Sequence, residues 1–210
     1  HRPVRTDAQK RADDIRVFAE IDELSDHASE AAAVVITAAV QTRGRCSLML
    51  SGGTTPRGLY ELLGSRFRDA VPWSSVHVFW SDERYVPPDD RRSNYRMARE
   101  ALLDHIPCPA TNIHTMPTSY ADPTEAASVH EATLREFFRN AQPRFDLAIL
   151  GMGADGHTAS LFPDAPALEE RVRWVLSVTA DAEPPARLTL TLPLLRAAGV
   201  SWFLATGSHK

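Results

Sequence analysis

The short apolar run from Phe145 to Leu150 leads directly into three glycines, an acid and a histidine: Gly151-Met152-Gly153-Ala154-Asp155-Gly156-His157. Its length and apolarity fit a strand buried in a parallel sheet. The glycines let the backbone turn sharply and come close to a ligand at the strand's carboxyl end, the edge where open α/β sheets place their sites. Gly151-x-Gly153-x-x-Gly156 also matches a dinucleotide fingerprint. That motif requires a full helix next and an acid roughly 20 residues on, after the following strand. Here Pro163 interrupts the helix, and Glu169 and Glu170 precede the next strand.

The same grammar recurs along the chain. Ile15 to Phe18 reads as a first strand. From Asp22, residues Leu24, Ala28, Ala31, Val35 and Ala39 keep helical spacing until Gly44. Ser47 to Leu50 is the next strand, followed by Ser51-Gly52-Gly53-Thr54-Thr55-Pro56 and a helical stripe of Leu59, Tyr60, Leu62 and Leu63. Thr55 is expected as N-cap and Pro56 as the first helical residue, so the turn presents hydroxyls and a helix N-terminus, an arrangement suited to an anion. It lacks the lysine of a P-loop. Val76 to Trp80 is a third strand that delivers Ser81-Asp82-Glu83-Arg84 into a loop; two acids and an arginine there suit sugar hydroxyls and a phosphate, and equally suit a solvated turn.

Ser93 or Asn94 caps a helix reaching Leu103. Asp122-Pro123-Thr124-Glu125 has the form of a capping box, with Val129, Thr133 or Leu134, and Phe137 expected inward. Thr158 to Phe162 has room only for a short helical turn. Trp174 to Val178 and Arg187 to Leu192 read as strands, Pro193 to Ala198 as a short helix and Val200 to Ala205 as a last strand. Strands alternating with helices predict an α/β fold: a three-layer, doubly wound, mostly parallel Rossmann-like sheet with helices on both faces. No linker interrupts it, so residues 1–210 are read as one domain, with 1 to about 13 a frayed terminus.

Composition narrows the partners. The formal net charge is -4 and no run of five like charges occurs, which gives no footprint for nucleic acid. No stretch approaches the length of a membrane-spanning helix. Cys46 and Cys108 are too few for a disulfide framework and are read as reduced thiols of a cytoplasmic protein. No metal site is expected: His130-Glu131 lacks a second histidine at the spacing a zinc helix needs. The chain begins at His1 and not at Met, and is read as trimmed at its start and cut short after Lys210. A monomer or weak homo-oligomer is expected.

Three blocks in order carry a resemblance: Leu50-Ser51-Gly52-Gly53-Thr54-Thr55-Pro56; Trp80-Ser81-Asp82-Glu83-Arg84-Tyr85-Val86 with Ser93-Asn94-Tyr95; and Gly151 through Pro163. Together they resemble the signatures of the 6-phosphogluconolactonases, within a wider group that includes the glucosamine-6-phosphate deaminases. The deaminases usually carry a Met-Asp-Glu-Tyr type second block and an acid a few positions after the histidine. This chain has Ser81-Asp82-Glu83-Arg84, and Thr158-Ala159-Ser160-Leu161-Phe162 without an acid, which favours the lactonase over the deaminase or isomerase.

The resemblance implies hydrolysis of 6-phospho-D-glucono-1,5-lactone to 6-phosphogluconate in the oxidative pentose phosphate pathway, on a small phosphorylated sugar lactone and with no cofactor. The chain has no Gly-x-Ser-x-Gly elbow, so water activated by His157 is the simpler nucleophile. Asp82, Asp155 and Asn94 are candidates for holding hydroxyls or orienting groups. The backbone of the glycine loops (Ser51, Gly52, Gly53, Thr54, Gly151, Gly153) or Arg84 faces the oxyanion. Arg84 and Lys210 match basic family positions suited to phosphate. In family members a C-terminal helix usually follows the segment ending here at Lys210. A non-catalytic sugar-phosphate-binding domain on the same fold remains the alternative outside enzymes.

Overall fold

A computed structural model describes residues 15–139 and 142–207. Residues 1 to about 13, expected to be a frayed terminus, and Lys210 therefore lie outside the described residues. Four strands, β1 (Cys46–Leu50), β2 (Val76–Trp80), β4 (Leu147–Gly151) and β7 (Val200–Leu204), form a parallel sheet in the order β2-β1-β4-β7. β1 runs to β2 on one side while β4 and β7 lie on the other, so the strand order reverses between β1 and β4. A crevice opens at such a reversal, outside the carboxyl ends of the strands.

Every residue of β1 is buried, as expected for a strand covered on both faces. Leu48 and Leu50 point into one core with Val76, Val78 and Trp80 of β2 and Leu147 and Ile149 of β4. That side is covered by α1 (Ile21–Arg43), α2 (Arg57–Gly64) and α3 (Asn94–Ala101). Met49, Phe79, Ala148 and Leu150 point the other way, under α4 (Pro123–Phe137). Truncating Leu48 to Ala would remove contacts from a fully enclosed site and cost about 2–5 kcal/mol.

The second face departs from expectation. It is covered by α4 together with an antiparallel sheet of three strands, β3 (Asp82–Arg84), β6 (Ala186–Leu190) and β5 (Val175–Thr179), in the order β3-β6-β5. Ser81 welds the two sheets: its N–H donates to the Leu50 carbonyl (2.9 Å) and its carbonyl accepts from the Leu190 N–H (2.8 Å). The short helix α5 (Leu192–Arg196) leads from β6 into β7.

Several local expectations are corrected. Ile15 to Phe18 is not a strand; with Ile15 and Val17 largely in solvent it has no neighbour to pair with among the described residues. Pro56 occupies the N-cap position of α2 and Thr55 caps nothing; its hydroxyl instead meets that of Thr206 at 3.0 Å. Ser93 does cap α3, accepting from the Arg96 N–H, but that helix ends at Ala101. Asp122 caps α4, whose buried face is Ala126, Ala127, His130 and Leu134, leaving Val129 exposed. Thr158 to Phe162 forms no helical turn: Thr158 and Leu161 bridge antiparallel across a tight turn. Gly44 ends α1 at φ 74°.

Candidate active site

The three glycine- and charge-bearing blocks meet at the crevice between β1 and β4, around a cavity of about 200 Å³. Ser51, Gly52, Gly53 and Thr54 line it from the β1 loop; Gly151, Gly153 and His157 from the β4 loop; Asp82, Arg84 and Asn94 from the second block. Asp155 touches His157 from outside the lining.

His157 is held by its neighbour two residues back. Its Nδ1 lies 2.6 Å from Asp155 Oδ1, and its backbone N–H donates to the same oxygen at 3.2 Å. The bond from the imidazole, followed by that from the backbone, holds the Asp155 carboxyl below its ordinary range. A carboxylate only accepts, so Nδ1 is the donor, and in the neutral form of the ring the lone pair is on Nε2, on a side chain that lines the cavity. The loop is folded to permit this. Gly153 N–H donates to the His157 carbonyl (2.8 Å), and the Thr158 hydroxyl donates back to the Gly151 carbonyl (2.9 Å). A Cβ on Gly153 would sit 2.1 Å from His157 Nδ1, so only glycine admits the ring.

The second block sorts its residues by the two-residue period of a strand. Asp82 and Arg84 face the cavity, whereas Glu83 between them turns away. Glu83 accepts the backbone N–H groups of Arg84, Asn94 and Tyr95 (2.7–2.8 Å) and the Ser93 hydroxyl (3.0 Å). Burial raises its carboxyl above the ordinary range, against the opposing pull of those N–H groups. Asp82 is itself engaged: Oδ2 accepts the Ser160 hydroxyl at 2.6 Å, and Oδ1 lies 3.3 Å from both Ser81 Oγ and Asn94 Nδ2. Asn94 Nδ2 also donates to the Asp82 carbonyl, while its Oδ1 is buried without a partner among the described residues, directly over Gly52. A Cβ on Gly52 would lie 1.8 Å from that oxygen.

Arg187 is the site residue the sequence reading missed. It stands directly opposite Arg84 across the β3–β6 pair, on the same face, and lines the same cavity. Opposed like charges on neighbouring strands repel. Each guanidinium has a buried Nε with no partner among the described residues. Burial, then the charge of Arg84, lowers the Arg187 pKa; Asp82 opposes this. Arg84 Nη1 donates to the Arg92 carbonyl at 2.7 Å, which fixes one side of its fork. Two planar forks beside one another suit a dianionic oxygen cluster such as a phosphate. In the sequence Arg187 is a single charge at the start of an expected strand, and nothing there announces the arginine it faces.

A profile of the family described as "Glucosamine-6-phosphate isomerases/6-phosphogluconolactonase" matches residues 19–210. The chain belongs to this family. It is 48% identical over 178 residues to a 6-phosphogluconolactonase of Synechocystis sp., covering 83% of this chain and 72% of the relative. A Mycobacterium tuberculosis 6-phosphogluconolactonase is 38% identical over 203 residues, covering 93% and 82%. Among solved structures, the 6-phosphogluconolactonase of Thermotoga maritima superposes with a TM-score of 0.78 at 33% identity, covering 88% of this chain and 81% of that one. That of Trypanosoma cruzi gives 0.81 at 31%, covering 92% and 80%. Family membership accounts for the Rossmann-like parallel sheet and the order of the three blocks. Among the described residues no group of three or more His, Cys, Asp or Glu is placed to hold a metal ion, and no helix is long and apolar enough to cross a membrane.

Proposed function

We propose that this chain hydrolyses 6-phospho-D-glucono-1,5-lactone to 6-phosphogluconate, the lactonase step of the oxidative pentose phosphate pathway. The observation that carries this reading is a cavity lined both by an Asp155-oriented imidazole and by two opposed arginines. The imidazole suits an ester carbonyl and its attacking water, the arginines a phosphate.

His157 Nε2 takes a proton from water as the oxygen bonds to the lactone carbonyl carbon. The carbonyl becomes an oxyanion, met by backbone N–H groups of the glycine loops. When the intermediate collapses the ring C–O bond breaks, and the imidazolium returns its proton to the departing ring oxygen. Asp155 holds the ring in the tautomer this cycle requires. Arg84 and Arg187 bind the phosphate. Asp82 orients its neighbours, and Asn94 Oδ1 and Ser51 Oγ, both buried and unpartnered among the described residues, are acceptors for sugar hydroxyls. Lys210 is a further basic candidate on the resemblance alone. No metal or cofactor enters this cycle, and a single domain acting in the cytoplasm as monomer or weak homo-oligomer completes the proposal.

The test is loss of the lactone coupled to 6-phosphogluconate dehydrogenase, with spontaneous hydrolysis subtracted, before and after exhaustive chelation. Turnover unchanged by chelation is expected. No activity above background, with release of ammonia from glucosamine 6-phosphate instead, would transfer the chain to the deaminase branch; binding of 6-phosphogluconate without either reaction would leave a sugar-phosphate-binding domain.

A further inference from the structure

Between His157 and the arginine pair the chain makes a turn that is strained on one side and pinned on the other. Thr158-Ala159-Ser160-Leu161 closes through the Leu161 N–H to the Thr158 carbonyl (3.0 Å), with Ala159 at φ 50°. That backbone region is costly for a residue with a Cβ, and persists where the surroundings over-determine it. The surroundings here are two buried bonds from Ser160, itself only 1% exposed. Its hydroxyl donates to Asp82 Oδ2 at 2.6 Å, and its N–H donates to Thr189 Oγ1 at 3.2 Å. Asp82 and Thr189 are directly paired in β3 and β6, two residues along each strand from Arg84 and Arg187. Two residues beyond Ser160, Phe162 packs on the His157 ring at 4.4 Å between centroids, and the Arg187 guanidinium lies 5.9 Å from the centroid of the Phe162 ring.

We infer that Ser160 is a positioning residue: it fastens the loop carrying His157 to the strand pair carrying the arginines, and so sets the span between base and phosphate site. The inference rests on the lactonase reading, in which one substrate must reach both ends at once. A misplacement near 1 Å from a change away from the chemistry can cost about 100-fold.

Three quantities on Ser160→Ala decide it: kcat on the phosphorylated lactone, the inhibition constant of inorganic phosphate, and the melting temperature. The expected result is kcat lower by roughly 10- to 100-fold, with the phosphate constant within about 2-fold of wild type and the protein folded at the assay temperature. An unchanged kcat overturns the inference. So does a joint loss of kcat and phosphate affinity tracking a fall in melting temperature, which marks a merely structural serine. Should Ser160→Ala not fold, the near-isosteric Thr189→Val, which removes the acceptor of the Ser160 N–H, carries the same comparison with a smaller drop in kcat. A wild-type enzyme that hydrolyses the lactone but is indifferent to phosphate also overturns it. Absence of lactone hydrolysis in the wild type defeats the functional reading instead.

Discussion

The two sheets contribute to the site in opposite ways. The parallel sheet touches the cavity only at its strand ends, Gly151 and Leu204, and hands over to loops, so its contribution is mostly backbone, hydroxyls and one histidine on turns that glycine makes possible. The antiparallel sheet reaches the cavity with strands, and Asp82, Arg84 and Arg187 project from regular, hydrogen-bonded backbone. Loops can be reshaped around reacting atoms, whereas paired strands hold charge at a fixed spacing. The division expected is chemistry on the first sheet and anchorage on the second.

The largest effect should follow from the parallel side. His157→Gln keeps a polar side chain of similar reach but cannot cycle a proton, so kcat should fall by about 10²- to 10⁴-fold with 6-phosphogluconate affinity nearly kept. In the wild type, protonating the base removes it from service, so kcat/KM should fall as the pH is lowered. A folded His157→Gln protein with near-normal turnover ends the mechanism.

On the antiparallel side, Arg84→Ala and Arg187→Ala should each raise KM by roughly 10- to 100-fold, since a charged hydrogen bond is worth about 1.5–3 kcal/mol. The change in kcat should be smaller, and phosphate-free gluconolactone should be nearly indifferent. Collapse of kcat with KM preserved would place the arginines at the oxyanion and erase the division between sheets.

That division also decided what was legible beforehand. Glycines, a histidine and hydroxyls after an apolar run announce a strand-end site, and the alternation of patterns announced the parallel sheet. β3 is three residues long and follows β2 after one residue, too short to show a period of its own, so Asp82 to Arg84 read as loop. Arg187 looked like an ordinary charge at a strand's start; its meaning comes from facing Arg84, a partner about a hundred positions away. Ser160 was hidden because a hydroxyl's value lies in its acceptor, and Asp82 is brought to it only by the weld between the sheets.

A smaller effect separates acid inactivation at the site from acid unfolding elsewhere. His77, His114 and His130 gather near the amino end of β2, away from the cavity; His77 Nδ1 and His114 Nε2 are 3.1 Å apart, and Arg45 adds positive charge. Burial, then the proximity of His114, lowers His130 from 6.5 to about 4, and burial, then His77, lowers His114 likewise to about 4. These folded values lie below the unfolded one, so the unfolded chain binds more protons between them. Stability is present above about pH 6.5 and is lost as the pH falls toward 4. For His130 alone the loss at pH 5 is on the order of 2 kcal/mol. His130→Leu should recover much of it in denaturant titrations at pH 5 and leave the acid fall of kcat/KM where it was. If both move together, the site and the cluster are not independent.

The smallest effect tests a detail within the parallel side. As an N-cap, Thr55 would stabilise α2 by its own hydrogen bond, whoever stood at position 206. As observed, its hydroxyl meets that of Thr206 at 3.0 Å, tying the entrance of α2 to the chain just after β7. The two pictures give similar single-variant losses, about 1 kcal/mol for either a cap or a neutral hydrogen bond, so the single substitution cannot separate them. A double-mutant cycle can: Thr55→Val, Thr206→Val and the pair should show a coupling of about 0.5–1.5 kcal/mol, because once one hydroxyl is gone removing the other costs little more. Additive losses in urea titrations would return Thr55 to the helix end. Loss of the tie should also loosen the glycine turn next to it, so KM for the phosphorylated lactone should rise only slightly while the arginines keep their hold on the phosphate.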